Sequence, residues 1–236
     1  MGVNKINYSL TPNHLIYIRS MESLRLSPAP WKLQGEGYIL LYRFNKDFAK
    51  TNTFLSEYYI SKYWGVVGSV MWVDYHTSGV GAYQELLFIP AMFDFSKEKA
   101  FHISKIYVST ADSVYNGIEN WGIPKELADF EINTLNKNTK SVKASLQSNS
   151  FFQMQVRSFG FLFPISTSLF PFTFYQDLRG KTLITKPKGR GWGRLCRIEQ
   201  IQVDSKFFPD ISLFKPMLAI EVKNFQLEFP PAQILS

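Results

Sequence analysis

Lys125 stands in the segment ENWGIPKELADF (residues 119–130), directly after Trp-Gly-Ile-Pro and directly before a glutamate. A lysine amine attacks a carbonyl carbon only when neutral, and a free lysine keeps its proton up to a pKa of about 10.4. Burial among apolar groups, or a nearby cation, makes the neutral amine more available. Trp121, Ile123, Pro124, Leu127 and Phe130 are apolar neighbours in sequence, and Pro124 fixes the backbone just before the amine. Read by itself, the same residue also fits a solvated surface lysine at the start of a helix or strand.

The elements around it are β-rich. GYILLYRF (37–44) is short, apolar and bounded by turn residues, which predicts a strand. VVGSVMWVDY, YQELLFIPAMF and FHISKIYVS follow, separated by Gly, Pro or charged turns. SVYNGIENWGI predicts a helix or tight turn ending before Pro124. ADFEINTLN, KSVKASLQS and SFFQMQVRS alternate in part around a turn-like NKNT, which predicts consecutive antiparallel strands. RLCRIEQIQVD and LAIEVKNFQLEF supply two more. Helices are expected at 11–26, with Thr11 as N-cap and Pro12 at the first turn, and over most of 45–64. The pattern implies one mainly β domain across 1–236, a barrel or sandwich with a few peripheral helices.

Composition narrows the function. The chain has 236 residues, with 21 Phe and 12 Tyr, which suits pleated sheets and a substantial core. A net charge of +7 favours solubility and anionic partners without marking nucleic acid. The densest basic stretch, KTLITKPKGRGWGRLCR (181–197), reads as a glycine-rich solvated loop between strands. Its GRGWGR lacks the ending and the helix of a phosphate loop. Cys196 is the lone cysteine and His14, His76 and His102 are scattered, so neither a disulfide nor a zinc site is indicated. The N-terminus lacks the apolar core of a signal peptide, and Pro164 and Pro171 break the greasiest stretch, 159–174. A cytoplasmic protein without a membrane span is the expectation.

GIENWGIPKELADF resembles the active-site segment of the acetoacetate decarboxylase family, where Gly-x-Glu precedes an aromatic turn and Pro-Lys. TSGVGAYQE (77–85) is similar to that family's Thr-Ser-Gly-x-Gly-x-Tyr-x-Glu. APWKLQGEGYILLYRF (29–44) and FKPMLAIEVKNFQLEFPPA (214–232) are similar to its entry and closing strands, in the same order. The wording of the lysine segment is nearest to the family's uncharacterised decarboxylase-like branch. The resemblance implies a closed β barrel with short helices around it and a site in its interior. It implies Lys125 as the imine-forming nucleophile, Glu85 as the carboxylate beside it, and assembly as a homo-oligomer. A protonated imine is itself the electron sink, so no cofactor is required.

The sequence departs from the family at three places. Glu126 stands where the decarboxylase carries a second lysine, and a carboxylate on the same side would favour the ammonium. Glu36, with Gln34 close by, occupies the place of the entry-strand cation, while Arg43 aligns with a different arginine. Val70 stands in place of an acidic residue. Tyr83, Tyr107, Tyr115 and Trp121 are candidates for an aromatic pocket wall, with Arg43 and Glu126 as polar candidates. Arg190 and Arg194 could draw in an anion. The expected activity is a lyase acting on a small oxo acid, by default decarboxylation of a β-keto acid. Aldolase or dehydratase-type chemistry through the same imine is the alternative, as is an inactive barrel that only binds a small molecule.

Overall fold

The structure is a computed structural model that describes residues 24–51, 53–95, 98–169 and 172–235. The helix expected at 11–26 falls almost wholly outside them. The strands in chain order are β1 (Trp31–Tyr42), β2 (Tyr63–Gly65), β3 (Gly68–Thr77), β4 (Tyr83–Ile89), β5 (Met92–Asp94), β6 (Lys99–Phe101), β7 (Lys105–Val108) and β8 (Lys125–Leu127). They continue as β9 (Asp129–Asn136), β10 (Thr139–Leu146), β11 (Asn149–Ser158), β12 (Phe163–Ser166), β13 (Phe174–Leu178), β14 (Lys181–Thr185), β15 (Lys188–Val203), β16 (Leu218–Phe229) and β17 (Gln233–Ile234). The helices are α1 (Lys46–Thr51), α2 (Glu57–Ser61) and α3 (Ala111–Trp121). The region 45–64 is thus two short helices, and Phe54, with a left-handed φ of 59°, interrupts the run between them.

The main sheet follows the order β8-β7-β4-β3-β1-β16-β15-β11-β10-β9, with β12 added on β15. The smaller sheet has the order β17-β14-β13-β6-β5-β2. The fold is mainly β, as the sequence predicts. The expected closure is not found: among the described residues neither sheet closes into a barrel. The edges of the main sheet, β8 and β9, are consecutive strands separated only by Ala128, whose N–H donates to the Val108 carbonyl. The chain itself therefore links the two edges, in place of a hydrogen-bonded ladder.

Period-two alternation separates two cores across the main sheet. Leu40, Tyr42, Trp72, Leu86, Phe88 and Tyr107 pack together on one face. Leu33, Val73, Tyr75, Tyr83, Leu87 and Val108 pack on the other, with Trp121 and Ile123 over them.

The stretch read as a glycine-rich loop is largely strand. In KGRGWGR, Gly189, Gly191 and Gly193 fall at period two on β15. A Cβ added to Gly189 would lie 2.8 Å from a Leu227 methyl, and one on Gly193 would lie 2.7 Å from the Phe163 ring. The glycines permit close packing there, so their number marks contact between strands and not a turn.

Candidate active site

Strand register places the site. Tyr83 and Glu85 lie two apart on β4, so both face the second core, and Tyr75 on β3 is paired directly with Tyr83. β7 separates β4 from β8 and turns only Ile106 and Val108 to this side, their partners being Lys125 and Leu127. No charge therefore intervenes between Glu85 and Lys125 along the sheet. Lys125 opens β8 straight after the bend at Pro124, where its N–H donates to the Ile123 carbonyl at 2.8 Å.

Helix α3 covers the amine. Thr110 caps it by accepting from the Ser113 N–H, and Gly122, in the left-handed conformation, ends it. Ser113 and Gly117, one turn apart, face Lys125. A Cβ on Gly117 would lie 2.5 Å from Lys125 Cδ and 2.8 Å from Cε, so the glycine is a notch through which the lysine chain passes. Asp112, Asn116 and Asn120 bind the backbone of the segment before β1. The N–H groups of Arg25, Ser27 and Ala29 donate to their side chains at 3.1, 2.7 and 3.2 Å. Asn116 and Asn120 donate back to the carbonyls of Arg25 and Ser27. This amide ladder locks α3 in place.

The Lys125 ammonium, in a residue 6% exposed, donates to Glu85 Oε2 at 2.9 Å, Ser113 Oγ at 3.1 Å and Tyr83 Oη at 3.4 Å. Its nitrogen also lies 4.9 Å from the Tyr83 ring centroid. Glu85, 4% exposed, accepts from Tyr75 Oη at 3.2 Å on its other oxygen. Burial first, and then the Glu85 carboxylate, hold the Tyr75 and Tyr83 phenols well above the ordinary tyrosine range, so both stay neutral donors. A buried ion pair is a poor source of stability, because desolvating each ion costs several kcal/mol. The buried lysine–carboxylate pair is therefore the candidate site, with the amine and the carboxylate within proton-transfer distance of each other.

Glu126 faces the opposite way. Its carboxylate accepts from Lys105 at 2.5 Å, and it is half exposed. Lys105 is further held by the rings of Phe54 and Tyr107, 4.6 and 4.8 Å away. Tyr107 shares that side, its hydroxyl donating to the Phe207 carbonyl. Glu36 is also turned from Lys125 and pairs with Lys140. Arg194 pairs with Glu221 at 2.6 Å, and Arg190 binds Gln226. Arg43 is exposed just after β1. Trp121 is core: its indole N–H donates to the Pro230 carbonyl and its ring meets Trp31 edge-on. Tyr115 is half-buried on α3, toward Arg179. Of the residues named from sequence, the structure thus brings Lys125, Glu85 and Tyr83 together, and Val70 lies in the opposite core. Tyr75, Ser113 and Gly117 were not singled out. Tyr75 could have been found from its even spacing to Val73 in a predicted strand, and Ser113 with Gly117 from small residues one helical turn apart.

Comparison with known proteins follows the geometry. The family model described as acetoacetate decarboxylase matches residues 24–161, a span that contains Glu85, Ser113 and Lys125. No curated protein matches the chain. Among solved structures, an acetoacetate decarboxylase from Legionella pneumophila subsp. pneumophila str. Philadelphia 1 is 12% identical, with 100% of this chain and 98% of that chain covered and a TM-score of 0.65. The enduracididine biosynthesis enzyme MppR complexed with pyruvate is 15% identical over 99% of each chain, with a TM-score of 0.63. An acetoacetate decarboxylase-like enzyme from Sphingomonas wittichii RW1 is 9% identical, covering 89% of this chain and 94% of that one, with a TM-score of 0.64. At these identities the likeness is one of fold.

Proposed function

Because the chain belongs to the acetoacetate decarboxylase family, we propose that it is an imine-forming lyase acting on a small carbonyl compound, with Lys125 as nucleophile and Glu85 as proton-transfer group. The observation that carries this reading is the buried 2.9 Å contact between the two side chains. Glu85 takes a proton from the ammonium, and the neutral amine forms a bond to the carbonyl carbon. The carbonyl oxygen gains protons and leaves as water, and the positive charge of the original ammonium reappears on the protonated imine. That imine accepts the electron pair released when a bond at the neighbouring carbon breaks. The resulting enamine is then reprotonated, with Glu85 in position to return the proton.

Decarboxylation of a β-keto acid is the default reaction attached to the family. A second reading, α-proton removal leading to aldolase or dehydratase-type products, is favoured by one observation: among the described residues the groups that meet the Lys125 nitrogen are Glu85, Ser113 and Tyr83, none of them a second cation. The pyruvate complex of MppR supports small oxo compounds as the size class of ligand.

Borohydride trapping with a panel of small ketones, aldehydes and oxo acids, read by intact mass, tests the reading. A carbonyl-dependent adduct absent from Lys125→Ala is expected. Folded protein that gives no adduct with any of them contradicts it.

A further inference from the structure

We infer that one corner of the main sheet's outer face is where a second copy of this chain docks, through β15, β16, β1 and the loop after β11. This stands apart from the chemistry of Lys125, and it names a surface for the assembly that the family resemblance leaves unplaced. Strand register builds that surface. Leu195 pairs with Ile220, Ile220 with Ile39, and Ile39 with Met71. The Phe159 N–H donates to the Leu195 carbonyl at 2.8 Å and extends the row by one residue. Partners in register point to the same face, so five apolar side chains cross the sheet in one line. Their chain neighbours Leu40, Val70, Cys196 and Ala219 lie in the first core, on the opposite face. Leu41 and its partner Leu218 flank the line, two residues along β1 and β16.

The rest of this face is either covered or polar. Over Leu33, Tyr75 and Leu87 it carries Trp121 from α3, with Phe101 and Phe174 from the small sheet. On β9 to β11 it shows Glu131, Lys143 and Gln153 in register, as a face open to water does. The row between these regions is neither. Phe159, Phe161, Leu162, Leu195 and Leu218 are 38% to 83% exposed. At about 200 Å² for a fully exposed side chain, they present on the order of 500 Å² of apolar surface. With the half-buried Ile39, Leu41, Met71 and Ile220, the patch approaches the ~800 Å² that each partner gives to a standard interface.

The chemistry of the patch selects a second copy. Arg157 and Arg197 at its margin both pair with Glu199, so no charged partner is called for. An apolar row of this kind is complementary to itself, and the exposed Phe161–Leu162 tip stands beside it. Two-fold related copies use both features at once, the tip of each covering the Ile220–Ile39–Met71 row of the other. The described segment before β1 is tied to α3 instead, and Ile39 lies ~26 Å along β1 from that end.

Sedimentation velocity of the full chain tests the inference. The unaltered protein should sediment as a dimer or a larger even-numbered assembly at concentrations up to about 100 μM. Leu195→Glu and Phe161→Glu each enter a two-fold interface twice. They should weaken the assembly about 100-fold or more while keeping the native circular dichroism. Gln153→Glu, on the polar stretch of the same face, should leave it unchanged. Phe161 lies on a loop, so its variant decides alone if Leu195→Glu fails to fold. An unaltered protein that stays monomeric overturns the inference, whether residues 1–23 or a lipid surface covers the row. Co-sedimentation with phosphatidylcholine vesicles would identify the second case. An assembly that survives in the folded Glu variants overturns it as well, because it then forms through another surface.

Discussion

Two lysine–glutamate pairs lie on opposite faces of the same sheet edge, and they behave as different devices. Lys125 and Glu85 are both buried at 2.9 Å, with two neutral phenols and a serine around them. Lys105 and Glu126 are closer, at 2.5 Å, but Glu126 is half exposed to water. The first pair sits in a small buried hydrogen-bond network. The second neutralises the carboxylate that directly follows Lys125 in sequence. Alternation along β8 is what separates them: a one-residue step moves a charge from one face to the other. Adjacency in sequence therefore says little about which charge acts on the nucleophile.

The largest effect expected from breaking the first pair is in Lys125→Ala, which should abolish carbonyl trapping. It should also destabilise the fold by about 3–5 kcal/mol in denaturant titrations, since Glu85 is left as an unpaired buried charge. Glu85→Gln should slow trapping on the order of 100-fold by removing the proton acceptor. Gly117→Ala would normally strengthen a helix by about 1 kcal/mol. Here the added methyl collides with the lysine chain, so a loss of about 1–3 kcal/mol and slower trapping are expected. Glu126→Lys, which restores the family's lysine doublet, should change trapping at Lys125 less than about fivefold, because the new charge meets Lys105 on the far face. A marked acceleration would collapse the distinction between the two pairs.

The smallest effect is in alkali. Tyr75 and Tyr83 have phenol pKa values raised well above ordinary tyrosine, so the folded protein keeps protons that the unfolded chain releases near pH 10. Their contribution to stability is complete below about pH 10 and is lost as pH rises beyond it. In a tyrosinate absorbance titration, these phenols should ionise only together with unfolding. Early ionisation at fixed secondary structure would show that the wall is not sealed.

The core of the site was legible because its parts lie in two short segments, one ending at Glu85 and one centred on Pro124-Lys125. Register was not legible. That Tyr75 rather than Trp72 reaches Glu85 depends on the pairing of β3 with β4, and that Ser113 reaches Lys125 depends on where α3 packs. Tyr107 illustrates the same point: one step along β7 from the site-facing Ile106 puts its ring in the opposite core. The strand at 188–194 was hidden because glycine counts suggest turns, whereas here the glycines recur at period two against close neighbours. The open ladder between β8 and β9 depends on long-range pairing, which local pattern does not encode.

Peptide mapping of the reduced adduct tests the central claim most directly. After treatment with an uncharged ketone and cyanoborohydride, the added mass should sit on Lys125, with Lys105 unmodified. An adduct on Lys105, or one spread over the exposed lysines with Lys125 untouched, would contradict the assignment of Lys125 as the nucleophile.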